Sequence, residues 1–132
     1  MIRGLLMCAA LAVTSAACAP AAAAGPTTVE IVLRHSHFEP ATITVPAGVP
    51  VTFVLKNLDP IAHEWMVGDE SFHQRHRTGT EAVHDTRPNE VSVPALSERR
   101  TVLTFATPAV LSYICHLPGH EQYGMSGQLT IR

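Results

Sequence analysis

Lysine is almost missing from this sequence: Lys56 stands alone among 132 residues. Lys plus Arg number 9 against 11 Asp plus Glu, a formal net charge of -2. There is no basic excess to neutralise phosphates, which excludes a nucleic-acid binder. Charge of either sign is scarce at 15%, while 46% of residues are hydrophobic; a solvated, disordered tail is excluded as well. No segment carries sustained helical periodicity, and no internal repeat is visible. Cysteine is short of a full set of pairs, since Cys8, Cys18 and Cys115 make an odd number. The length suits one domain with a real core. What the chain has in excess is histidine, with 8 residues.

The first residues read MIRGLLMCAALAVTSAACAPAAAAGP. Arg3 is a small positive start, Gly4 to Val13 an apolar run, and small residues follow to Ala24. This is the pattern of a secretory signal peptide, with an apolar run shorter than the ~20 residues needed to cross a bilayer. The expected division is a signal peptide over 1–24 and one domain over 25–132. A second cut fits too: Ser15-Ala16-Ala17-Cys18 resembles a lipoprotein box, under which Cys18 becomes a lipid anchor. Both cuts place the domain in the periplasm or on the cell envelope. Cys115 is then a lone cysteine where pairing is the rule, and needs a metal or chemical role.

From Thr28 onward the pattern is strand-like. Thr28 to Arg34, Ala41 to Val45, Val49 to Asn57, Ile61 to Val67, Glu90 to Val93, Arg99 to Ala106, Val110 to Cys115 and Met125 to Arg132 read as strands. Val51, Phe53 and Leu55 share one face. Asp69 to Asn89 is polar and aperiodic, and is expected to be a long loop with at most one helical turn. Seven to eight short strands with Pro and Gly turns predict an all-β, single Greek-key sandwich.

The stretch that carries chemistry is CHLPGHEQYGM, Cys115 to Met125. It holds a thiol, an imidazole and a thioether in one loop as Cys115, His120 and Met125. His63 lies upstream in IAHEWMV. Two His, one Cys and a weak axial Met are the donors of a type 1 copper centre. Soft sulfur favours Cu(I) and imidazole suits both states, so one site serves both with little rearrangement. Pro118-Gly119 turns the chain back to bring His120 towards Cys115, and Gly124 lets the loop pass closely before Met125. Met is not a usual zinc ligand, which disfavours a structural zinc site. A binuclear copper centre needs two bridging cysteines, and a multicopper enzyme needs more His-x-His pairs and further domains. No catalytic residue is expected and the chain is read as a non-enzyme.

FEPATITVPAGVPVTFVLKN, IAHEW and YICHLPGHEQYGMSG, in that order, resemble the cupredoxins: plastocyanin, azurin, rusticyanin and sulfocyanin-like proteins. The Cys-x4-His-x4-Met spacing is similar to the rusticyanin type, and the overall style to exported copper-binding cupredoxins. The resemblance covers about Thr28 to Arg132. It implies one copper ion held by His63, Cys115, His120 and Met125, with His120 near the surface beside Leu117 and Pro118. It further implies electron transfer with a redox partner protein, or copper handling with a donor or acceptor protein, by a monomer. One departure stands out. Plastocyanin and azurin usually have Asn after the upstream His, fastening the ligand loop; Glu64 stands here, which leaves only its backbone N–H to point at the sulfur. Of the remaining histidines, His73, His76 and His84 form a candidate second metal group. His35, His37 and His116 are expected to be exposed. Trp65 and Phe53 are expected in the core.

Overall fold

A computed structural model describes residues 27–79, 85 and 87–132. The leader with Cys8 and Cys18, and His84 of the candidate second metal group, lie outside the described residues. The described chain forms β1 (Thr27–Arg34), β2 (His37–Glu39), β3 (Thr42–Val45), β4 (Pro50–Asn57), β5 (His63–Gly68), α1 (Glu70–Arg77), β6 (Glu90–Val93), β7 (Glu98–Thr104), β8 (Ala109–Ile114) and β9 (Ser126–Ile131). Two sheets result, ordered β2-β1-β4-β7 and β3-β9-β8-β5-β6. β1 runs parallel to β4 and β3 to β9, and the other pairs are antiparallel. The sandwich is the expected one, with nine strands among the described residues instead of seven or eight. The added strand is β2, three residues too short to show an alternation.

Alternation places the core between the sheets. Val51, Phe53 and Leu55 of β4 are fully buried, as are Ile31 and Leu33 of β1, Trp65 of β5 and Leu129 of β9. The Phe53 and Trp65 rings pack 4.8 Å apart between centroids, and Tyr113 meets Phe38 edge to face at 5.2 Å. Gly127 is the cross-strand partner of Tyr113. A Cβ at Gly127 would fall on the Tyr113 ring, whose hydroxyl donates to the Pro40 carbonyl at 2.6 Å. The absent side chain is the seat of the ring.

The long polar loop expected over 69–89 is corrected: Glu70–Arg77 is a helix of two turns. Asp69 caps it by accepting the Phe72 amide at 2.8 Å, with Glu70 in the first turn and Arg75, His76 and Arg77 in the last. The helix leaves no apolar periodicity in the sequence because its buried face is one Phe and two His: Phe72, His73 and His76. A hydropathy pattern scores such a face as polar. Phe72 packs over Gly68, where a Cβ would meet its ring. Burial, followed by the Arg77 charge, pushes the His73 imidazole below its ordinary value of 6.5, against the pull of the Ser112 carbonyl it bonds.

Two outcomes follow from this packing. Gly127→Ala should lower stability by about 1–3 kcal/mol as the Tyr113 ring is forced out, read as a drop in Tm of the metal-free protein. A buried His that resists protonation binds fewer protons than the unfolded chain, so stability falls as pH drops below about 6.5. Chemical denaturation of the metal-free protein from pH 8 to pH 5 should show that decline, and His73→Gln should make it shallower.

Candidate metal centre

The site sits at one end of the sandwich, where β4 leads into β5 and β8 into β9. Cys115 follows directly on β8, and its amide extends the ladder by donating to the Met125 carbonyl at 3.2 Å. The ten residues onward form a closed loop. The His120 amide donates to the Leu117 carbonyl at 3.0 Å, with Pro118 and Gly119 between them and Gly119 at φ 86°. That is a type II turn, in which Pro presets the first central residue and Gly takes the left-handed second. The Met125 amide returns to the His120 carbonyl at 3.0 Å, and Gly124 at φ 92° makes the bend that permits it. The turn at Pro118-Gly119 and the passage at Gly124 are both as expected.

Two imidazoles and a sulfur meet here. His63 Nδ1 lies 3.2 Å from His120 Nδ1, and His120 Nδ1 lies 3.3 Å from Cys115 Sγ. Among the described residues, His63, Cys115 and His120 are the group whose donor atoms all lie within 4.8 Å of one another. His63, Cys115 and Met125 are fully buried, and His120 is partly exposed. Metal–nitrogen bonds of about 2.0 Å and a metal–sulfur bond of about 2.3 Å, at 120°, need donors roughly 3.5–3.8 Å apart. The observed spacing opens to that by a few tenths of an ångström.

The electrostatics suit an anionic sulfur and neutral imidazoles. Burial pushes the Cys115 thiol above its ordinary value, while the Glu64 and Leu117 amides pull the other way. The Glu64 N–H reaches the sulfur at 3.3 Å, as expected of a backbone group that stands in for the missing Asn. Two N–H donors aimed at one sulfur match a thiolate, and a cation beside it would offset the burial. Burial and then the neighbouring His63 hold the His120 imidazole below its usual range. A neutral ring keeps a lone pair for a metal.

Two residues of this end carry no signal in the metal-ligand spacing. Asn57 is buried, its amide nitrogen within 3.1 Å of the Ile61, Val93 and Pro94 carbonyls, and its Oδ1 accepts the Asp59 amide at 2.9 Å. Asp59 then accepts from His63 Nε2 at 2.8 Å and from the amides of His35 and Ser36 at 2.7 and 2.8 Å. Burial works against the Asp59 charge, but the Ser36 and His35 amides and His63 outweigh it and hold the carboxyl below its usual range. The stretch from Asn57 to Asp59 is thus a built support. An Asx residue at the end of a strand was the one available cue.

The remaining histidine expectations divide, His35 and His37 agreeing and His116 not. His35 and His37 are exposed. His116 is corrected: its side chain is 6% exposed, because α1 covers it. His73 Nδ1 lies 2.9 Å from His116 Nε2, and the His76 ring stacks on His116 at 5.4 Å. Burial, then the nearby His73, pushes the His116 imidazole down to about 4. His73 and His76 therefore gather around His116, behind the Cys115 backbone and apart from the His63–Cys115–His120 group. Arg77 clamps this corner, donating to Glu121 at 2.7 Å and to Glu70 at 2.7 Å.

Comparison with known proteins agrees with this arrangement. Residues 7–90 match the cupredoxin-like domain family. The sequence is 31% identical to the copper-resistant cuproprotein CopI of Pseudomonas aeruginosa, across 79% of this chain and 75% of that protein. It is 33% identical to the protein of the same name from Rubrivivax gelatinosus, across 80% of this chain and 66% of that protein. Among solved structures it is similar to auracyanin A, a "blue" copper protein from the green thermophilic photosynthetic bacterium Chloroflexus aurantiacus, with TM-score 0.65 and 25% identity over 82% of this chain and 100% of that one. The chain belongs to the cupredoxin-like domain family.

Proposed function

We propose that this chain is an exported type 1 copper protein that holds one copper ion through His63, Cys115, His120 and Met125 and serves in electron transfer. The observation that carries the proposal is the convergence of His63 Nδ1, His120 Nδ1 and Cys115 Sγ at 3.2 and 3.3 Å, with the Glu64 amide on the sulfur. Bound copper supplies one-electron Cu(II)/Cu(I) chemistry. The protein's part is to keep the donors fixed and dry. Burial of His63, Cys115 and Met125 excludes water, and the loop's own hydrogen bonds hold Cys115, His120 and Met125 in one frame. Donors that are already in place have little to reorganise when charge arrives. His120 is the ligand on the solvent side, with Leu117 partly buried, Pro118 exposed and Tyr123 77% exposed in the same loop. A redox partner protein docks on that apolar edge. The leader over 1–24 directs export to the periplasm or cell envelope, with Cys18 as a lipid anchor if the earlier cut is used.

A second reading has its own support. Both CopI relatives bear copper resistance in their names. In that reading the chain sequesters or delivers copper to a donor or acceptor protein, and His73, His76 and His84 assist capture. Reduction separates the two. A carrier keeps its copper after reduction and exchanges electrons reversibly and fast; a handling protein releases Cu(I) to a competing chelator.

Cu(II) added to the metal-free protein should give an intense visible thiolate-to-copper band at one ion per chain. Cys115→Ser should abolish it, and colour surviving that change would overturn the assignment. Met125→Leu should keep the colour and shift the midpoint potential, because a thioether would tune the potential of bound copper more than it would hold the metal.

A further inference from the structure

Asp59 is an unusual group to find at the end of this sandwich. Its side chain is 9% exposed, yet its two oxygens are met by three donors, two of them from a distant part of the chain. Oδ1 accepts the His35 amide at 2.7 Å, and Oδ2 accepts both the Ser36 amide at 2.8 Å and His63 Nε2 at 2.8 Å. His35 and Ser36 form the two-residue connection between β1 and β2, where Arg34 pairs with His37. Both are left-handed, at φ 53° and 56°. Such a primed hairpin turn normally holds Asn-Gly or Gly-Gly, since side chains with a Cβ resist that conformation. Neither residue relieves that resistance. The turn is held by the pair of amides it presents to one carboxylate, and by His37 Nδ1 on the His35 carbonyl at 2.8 Å. The Asp59 backbone is held in its turn: its amide donates to Asn57 Oδ1 at 2.9 Å, and its carbonyl accepts the Leu96 amide at 3.1 Å.

We propose that Asp59 is the positioning residue of the metal centre, setting the tautomer and donor strength of His63. The inference rests on the copper reading above. A carboxylate only accepts, so His63 Nε2 carries the proton and donates it to Asp59. The neutral ring then has its lone pair on Nδ1, the atom that faces His120 Nδ1 at 3.2 Å. A backbone carbonyl in the place of Asp59 would fix the same tautomer. A full negative charge does more: it strengthens the ring as an electron donor and favours the more highly charged state of whatever metal that imidazole holds. The anion is kept as an anion by the turn, because the His35 and Ser36 amides fill the lone pairs that His63 leaves. The strained hairpin is thus part of the centre's electrostatics, though neither of its residues is a ligand.

Three variants separate position, charge and strain. Asp59→Ala removes every bond, and should weaken Cu(II) binding about 10–100-fold while affecting Cu(I) less. Asp59→Asn retains an acceptor for His63 but loses the charge, and it sets an NH2 group against the His35 amide. It should keep the visible band, raise the midpoint potential and lower stability. Adding His35→Gly to Asp59→Asn relieves the left-handed strain; it should restore Tm but leave the potential raised. A potential that returns with Tm would show a merely structural role and overturn the proposal, as would wild-type potential and affinity in Asp59→Asn. A readout without metal completes the test. Nitrogen-edited NMR of the metal-free protein should show His63 as the Nε2–H tautomer, with that proton slow to exchange. Its finding as the Nδ1–H tautomer would overturn the proposal even if copper binds as expected, whereas failure to bind copper would fall on the functional reading and leave the tautomer result standing.

Discussion

Two imidazole nitrogens and a sulfur held within 3.3 Å of their neighbours under cover form an arrangement no flexible chain would keep. Each donor loses water, each side chain loses rotamer freedom, and the thiol is driven towards its neutral form. The sandwich meets that demand with main chain more than side chain. The Glu64 amide points at sulfur from β5, the Leu117 amide from the loop, and the Cys115 and Met125 amides close the loop on itself. Backbone donors have no rotamers to lose, so the site is stiff where stiffness matters. Two sheets of buried Ile, Leu, Val and aromatic side chains underneath supply the hydrophobic free energy that lets such an end exist.

The upstream half of the centre is fastened differently. His63 opens β5, and the five residues before it have left β4. The buried Asn57 side chain ties this connection down by bridging to the Ile61, Val93 and Pro94 carbonyls. Asn57 and Asp59 act in series: the first shapes the loop and the second hands its geometry to the His63 ring. Glu64 follows the upstream His here with its amide on the Cys115 sulfur, and the Asn57 and Asp59 side chains brace the His63 side of the site. Behind Cys115, α1 closes the corner over His116, and Arg77 ties the helix to Glu121 of the ligand loop. The helix and the loop therefore brace one another.

How much of this was legible follows from how local each signal is. Val51, Phe53 and Leu55 alternate within one strand, and all three are buried. Cys115, His120 and Met125 lie in one loop whose Pro118-Gly119 turn can be read directly. His63 stood out as an imidazole set in an apolar strand. The misses are nonlocal. β2 is too short for a period, and α1 hides its inward face behind two histidines that become buried only against β5 and β8. His116 is covered by a helix whose His73 lies 43 positions away in sequence. Asp59 reads as a turn former, and nothing near it in sequence announces the His35 and Ser36 amides 24 and 23 positions upstream.

By itself, then, the order of residues determined the class of fold, through period-two apolar patterning, and the candidate donors, because one short loop carries three of the four proposed ligands and a strand supplies the fourth. Only the tertiary structure decided which nitrogen of each imidazole faces inward, which histidines are buried together, and which carboxylate stands behind His63. The reason is physical. Periodicity and turn chemistry act over a few residues, whereas tautomer, burial and charge depend on neighbours that arrive through space when the sheets pack.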